Sequence, residues 1–236
     1  MKRGMAAATL GVAALIAVSL AVAAPAQKDY CLGRGEHAVH MRAADGAPIY
    51  GVEVGHGSTG VVFGHQFMSD HCEWMDFART LAPQRFRSIA IDFRGNGFSR
   101  GGNGPRLDLD VAAAVAHFRG EGVKRVVLVG SSMGGTAVLV AAARIRPAVA
   151  GVVSLSGPAR YGGMDALAAV RASRVPVRFI ADRKDGVFGA DAQRLYHAAV
   201  ARDKGIFLAT SGLHGSSLLA VPRAKDYLLA FLSRQV

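Results

Sequence analysis

The chain has 236 residues, 51% of them hydrophobic, and its 28 Lys and Arg outnumber 17 Asp and Glu for a formal net charge of +11. That length suits one domain with a full core. The basic residues are dispersed, with no run interleaved with aromatics, which argues against nucleic-acid binding and leaves weak association with an anionic envelope surface as the consequence the charge suggests.

In chain order, residues 1–26 predict a secretory signal peptide. Lys2 and Arg3 open it, an uncharged apolar run follows, and Ala24-Pro25-Ala26 offers small residues for cleavage after Ala26. Retention as a membrane anchor is the alternative, because the run approaches the length of a span. Residues 27–236 then form a single domain, expected to be periplasmic or extracellular. Its two cysteines, Cys31 and Cys72, are expected to pair as a disulfide in an oxidising compartment, with two reduced buried thiols as the alternative. His65 and His71 stand near Cys72, but no second cysteine pair or HExxH accompanies them, so no metal site is predicted.

Two short strand-like runs flank Asp45-Gly46, a dipeptide that favours hairpin turns, and predict an antiparallel edge. Beyond them, short apolar runs ("GVVFGH", "FRSIAIDF", "KRVVLVG", "AGVVSLS", "VPVRFIA", "GIFLAT") alternate with helix-length segments. Strands that are apolar throughout, separated by helices, predict an α/β fold with a mostly parallel sheet covered on both faces. The segment between "VVSLSG" and "VPVRFIA" is too short for an inserted helical lid. Asp108 and Asp110, just before an apolar helix, read as N-terminal caps. Trp74 and Phe77, at helical spacing, read as core.

Gly130-Ser131-Ser132-Met133-Gly134 follows one of these strands and precedes an alanine-rich helix. This is G-x-S-x-G in strand-turn-helix context, where small flanking residues permit a tight turn that projects the central serine. Ser132 is the candidate nucleophile. A serine hydroxyl needs a base, itself oriented by an acid, and the chain order expected here is Ser, acid, His. Asp182 and Asp185 both follow "VPVRFIA", and His214 follows the last strand in a glycine-rich loop; His117 and His197 lie in helical patterns and read as packing or surface residues. Two backbone amides are needed for the oxyanion. Met133 N–H supplies one, and Phe67 N–H, in the loop after "GVVFGH", supplies the second, with Gln66 N–H as the close alternative and His65 tying that loop down.

These stretches together resemble the α/β-hydrolase superfamily, from about residue 37 to 236. "VVFGHQF" sits where the family has a strand, His-Gly and an apolar residue; "IAIDFRGNGFSR" is similar to its D-x-R-G-x-G-x-S loop; "GSSMGG" is the elbow and "SGLHG" the histidine loop. The resemblance implies an α/β-hydrolase fold and aligns Asp182 with the family's glycine and Asp185 with its acid. In "IAIDFRGNGFSR", Asp92 and Arg94 are expected to hold neighbouring loops. Gln66 replaces the usual glycine after the histidine and is expected at the pocket rim, with Tyr161 as a pocket-wall residue. The short linker implies no cap domain, as in small esterases and the dienelactone hydrolase-like branch. That branch carries a cysteine nucleophile, so Ser132 makes ordinary carboxylic ester hydrolysis the simpler implication. No metal or organic cofactor is implied, and the partner expected is a small-molecule or lipid-like ester. Acyl transfer or perhydrolysis with the same triad, and a non-catalytic binder of the same fold, are the alternatives.

Overall fold

The turn at Asp45-Gly46 opens the molecule: Gly46 adopts φ 91° and donates to Ala43 O, which folds strand β1 (His37–Arg42) back on β2 (Pro48–Val54). The computed structural model describes residues 28–101 and 104–236, and the predicted signal peptide falls outside them. After the hairpin come β3 (Thr59–Gly64), β4 (Phe86–Ile91), β5 (Arg125–Ser131) and β6 (Gly151–Leu155). A small hairpin of β7 (Arg160–Tyr161) and β8 (Met164–Asp165) precedes β9 (Val177–Asp182) and β10 (Lys204–Ala209).

Eight of these strands form one sheet in the order β1-β2-β4-β3-β5-β6-β9-β10. β2 is antiparallel to both β1 and β4, and every later pairing is parallel. Because side chains alternate across a strand, an all-apolar strand feeds two cores at once. Val62, Leu128 and Val152 enter the core under α2 (Leu107–Gly120), α3 (Met133–Arg144), α4 (Ala166–Ala172) and α5 (Gly186–Ala198). Val61, Phe63, Val127, Val129 and Val153 enter the opposite one, under α1 (Cys72–Leu81) and α6 (Pro222–Ser233). This is a three-layer α/β arrangement. The connection from β6 to β9 holds only the β7–β8 hairpin and the seven-residue α4, so among the described residues no cap domain is inserted there.

Helix α1 shows how the pattern works locally. Trp74, Met75, Phe77, Ala78 and Leu81 bury one face, Asp70 Oδ1 accepts from Cys72 N–H at the N-terminus, and Pro83 with left-handed Arg85 (φ 68°) ends the run. Trp74 is fully buried, stacked on Phe63 at 4.9 Å, and its Nε1–H donates to Gly64 O. It is core, and replacing it with Ala should cost about 3–5 kcal/mol.

The N-terminal arm is bound across α1. Cys31 and Cys72 form a disulfide with Cα atoms 5.5 Å apart, and Arg79 holds both Glu36 and Cys31 O, each at 2.7 Å. Closing a loop of 41 residues contributes about 4 kcal/mol in the chain-entropy description. Asp108 and Asp110 differ from expectation. Both lie inside α2 rather than before it, and neither caps it: Asp108 pairs with Arg106 and Arg144, and Asp110 accepts from Arg94 N–H and its guanidinium. A short carboxylate near strong cationic donors pairs with them in preference to a backbone amide.

Candidate active site

The elbow forms because glycine is required on both sides of it. A Cβ on Gly130 would lie 2.3 Å from Gly134 O, and one on Gly134 would lie 2.4 Å from Gly64 O. With those contacts closed, strand β5 turns directly into α3, and Ser132 between them takes φ 49°, ψ −118°. Such a conformation costs a non-glycine residue about 1–3 kcal/mol and persists only where its surroundings impose it. Here Ser132 N–H is held by Leu155 O of β6 at 2.8 Å. Ser132 is partly exposed while Ser131 is fully buried, so the two adjacent serines face different surroundings.

The candidate acid and base meet beyond β9 and β10. His214 Nδ1 contacts Asp185 Oδ2 at 2.7 Å, and the Phe188 ring covers the imidazole with centroids 4.4 Å apart. Donation from Nδ1–H to Asp185 fixes the tautomer and leaves Nε2 as the free lone pair. Asp182, three residues earlier, has a different task. It is fully buried, Oδ2 accepts from Ser211 Oγ at 2.6 Å and Gly212 N–H at 2.9 Å, and Oδ1 accepts from Lys184 N–H at 2.8 Å. Burial pushes its pKa up, but these donors outweigh it and hold the carboxyl at about 2. Asp182 therefore ties the acid loop to the histidine loop, and Asp185 is the carboxylate that reaches the imidazole.

Ser156, at the carboxyl end of β6, links the same two loops. It has φ 48°, its Oγ donates to Asp185 Oδ2 at 3.0 Å, and it accepts from Gly215 N–H at 3.1 Å. Its place directly after a strand was the one available sequence signal.

The loop expected to supply the second oxyanion amide follows β3. His65 is fully buried; its Nδ1–H donates to Gln66 O at 2.7 Å and its Nε2 accepts from Phe93 N–H at 3.1 Å. Burial lowers its pKa, in keeping with a neutral ring that donates on one side and accepts on the other. Gln66 N–H is taken by Glu73 Oε2 at 2.8 Å, and Phe67 follows it, 62% exposed. Met133, as the first residue of α3, has no intrahelical acceptor for its N–H. Tyr161 lies in β7 and packs against the core on the α2–α3 face.

The "DFRGNG" loop is structural. Asp92 Oδ1 accepts from His71 N–H and Nδ1–H, Asp92 Oδ2 accepts from Phe98 N–H, and Arg94 bridges Asp45 and Asp110. Asp70, His71 and Asp92 come close enough together to hold a metal ion. However, His71 already spends Nδ1 on Asp92 and Nε2 on Asp29, and the sulfurs beside it are oxidised to the disulfide. His117 Nε2 lies 3.4 Å from Glu53 Oε2, and His197 packs on Tyr196 in α5.

A family model described as the alpha/beta hydrolase fold matches residues 60–228, from β3 through most of α6. The chain belongs to the α/β-hydrolase family. Among solved structures, this α/β-hydrolase is similar to an esterase of Pyrococcus furiosus (TM-score 0.75, 19% identity, 85% of this chain and 92% of that one). It is also similar to a thermophilic esterase of Thermogutta terrifontis (0.70, 17%, 84% and 98%) and an enol-lactonase of Burkholderia xenovorans (0.69, 16%, 83% and 100%). At these identities the likeness speaks for the fold. No curated protein matches the α/β-hydrolase chain in sequence.

Proposed function

We propose that the protein is an exported serine hydrolase that cleaves carboxylic esters through an acyl-enzyme on Ser132. The observation that carries this reading is the Asp185–His214 contact at the strand ends, in the same sheet that holds Ser132 in a strained elbow. A set of three such groups has no purpose in a passive binding site.

Ser132 Oγ attacks the ester carbonyl carbon as His214 Nε2 takes its proton, and Asp185 stabilises the imidazolium. The amides of Met133 and Phe67 receive the oxyanion, each contributing about 3–4 kcal/mol to the barrier reduction. Collapse expels the alcohol, protonated by His214; water, deprotonated by the same ring, then releases the carboxylic acid and restores Ser132. Phe67 and Met68, exposed by 62% and 85%, lie in the loop assigned to the oxyanion amide, and Val187, exposed by 66%, lies in the first turn of α5 just after Asp185. Together with the missing cap they favour an ester with an apolar acyl group entering an open site. Esterases and a lactonase among the fold relatives agree with this class of reaction. Export rests on the apolar leader and on the Cys31–Cys72 disulfide.

The test is hydrolysis of p-nitrophenyl esters from about two to twelve acyl carbons by the mature protein, with Ser132→Ala alongside. The expected loss in the variant is about 10⁴–10⁶-fold, together with loss of labelling by a fluorophosphonate. A variant that keeps most of the activity removes Ser132 from the mechanism.

A further inference from the structure

Glu73 takes no part in the triad, yet it touches both segments that would build the oxyanion hole. From the first turn of α1, its Oε1 accepts from Ser131 Oγ, in the residue just before the nucleophile. Its Oε2 accepts from Gln66 N–H, in the residue just before Phe67. We propose that Glu73 is a positioning residue that sets the spacing between the Phe67 and Met133 amides. This rests on the ester-hydrolase reading above and goes beyond it in assigning how the hole is held.

The loop needs such a support. Phe67 and Met68 are exposed, and Met68 is left-handed at φ 60°, so apolar packing does not locate this turn. Hydrogen bonds do, one peptide plane at a time. Gln66 O receives His65 Nδ1–H and Ser69 N–H. Because a trans peptide is planar with C=O and N–H opposed, those two bonds also aim the Phe67 N–H, which belongs to the same plane. Gln66 N–H belongs to the plane before it, and Glu73 holds that one. The two planes together determine where the Phe67 amide sits. The other carboxylate oxygen is on Ser131, whose chain leads through Ser132 to the Met133 amide.

Chemistry also accounts for the residue type. The two partners both present hydrogens, and a carboxylate is the side chain with two acceptor oxygens and no competing donor. Its place in the first turn of α1 favours negative charge through the helix dipole. Gln66, Glu73 and Ser131 are separated by 7 and 58 residues in the chain along their hydrogen bonds, so the arrangement exists only in the folded protein.

The experiment compares Glu73→Ala, Glu73→Gln and Ser131→Ala on a short-chain p-nitrophenyl ester, with thermal midpoints measured in parallel. Displacement of a reacting geometry by about 1 Å costs on the order of 10²-fold. Glu73→Ala is therefore expected to lower kcat by about 10–100-fold with KM changed less than about threefold. Affinity for a boronic acid that forms a tetrahedral adduct on Ser132 should fall by a similar factor. Glu73→Gln, which can still accept from Gln66 N–H and donate to Ser131 Oγ, should recover most of kcat. Ser131→Ala removes one end of the bridge with little change in volume, and should lower kcat by about three- to tenfold without adding to the loss in Glu73→Ala.

A Glu73→Ala enzyme with unchanged kcat overturns the proposal, as does a loss confined to KM or matched by the unfolded fraction. If Glu73→Ala does not fold, an unchanged kcat in Ser131→Ala overturns it equally. Failure of the parent reading looks different: the wild-type protein then hydrolyses no ester and resists the fluorophosphonate, and the role assigned to Glu73 falls with it.

Discussion

Ser156 donates its hydroxyl to the Asp185 oxygen that His214 Nδ1 also contacts, at 3.0 Å and 2.7 Å respectively. The same hydroxyl accepts from Gly215 N–H, so one buried side chain links Asp185 to the residue following His214. Ser156→Ala leaves a buried amide without its acceptor, a cost of about 1–3 kcal/mol. The expected result is a fall in kcat/KM of about tenfold with a lower thermal midpoint. Steady-state kinetics and a melting curve on the same preparation check both.

Asp182 and Asp185 are separable by experiment because one holds loops and the other faces the imidazole. Asp185→Asn is expected to reduce kcat by about 10⁴-fold, since the tautomer of His214 is no longer held, with little change in melting. Asp182→Ala should do the reverse, lowering stability strongly through the unpaired Ser211, Gly212 and Lys184 donors. The folded pKa of Asp182 is depressed to about 2 from 3.8. Its contribution, roughly 2 kcal/mol, is therefore complete above pH 4 and disappears as pH falls toward 2. Acid denaturation of wild type and Asp182→Ala, monitored by circular dichroism, should converge at the acid end.

His71 predicts a dependence in the opposite direction. Burial disfavours its charge, but the Asp92 hydrogen bond and the fields of Asp92, Asp29 and Asp70 prevail and raise its pKa above 6.5. Asp29 also accepts from Tyr50 Oη at 2.6 Å, which joins the N-terminal arm to the sheet. A raised histidine pKa contributes stability that is full below the unfolded value and is lost as pH rises through the folded one. The stability difference between wild type and His71→Asn should therefore be largest near pH 6 and shrink toward pH 9. Urea midpoints across that range measure it, and a constant difference would contradict the assignment.

Several parts of the site were readable from local pattern. Glycines around Ser132 announce the elbow because part of the crowding is local, Gly130 against Gly134 O, although Gly134 is also closed off by Gly64 O from β3; His214 is marked by a glycine-rich loop after the last strand. The choice between Asp182 and Asp185 was not settled by the residues alone, since both follow β9 in the same short loop. Both reach the loop after β10, and the choice depends on which carboxylate takes the Ser211 and Gly212 donors and which takes the imidazole. Asp108 and Asp110 read as caps for a related reason: although Arg106 beside Asp108 is local, the partners Arg94 of Asp110 and Arg144 of Asp108 lie 16 and 36 residues away along the chain.

What local order dictates in this protein is the alternation of apolar strands and helices, the short connection between β6 and β9, and which candidate residues stand at three strand ends. All of these follow from side-chain periodicity and steric limits that act within a few residues. Folding across the sheet determines the rest: Ser156 between acid and base, Glu73 under the oxyanion loop, and His71 between two carboxylates. Those contacts join the end of β6 to the loops after β9 and β10, α1 to the loop after β3 and to the end of β5, and the N-terminal arm to the loop after β4. A hydrogen bond depends on distance in space, and sequence spacing does not encode it once the partners belong to different elements.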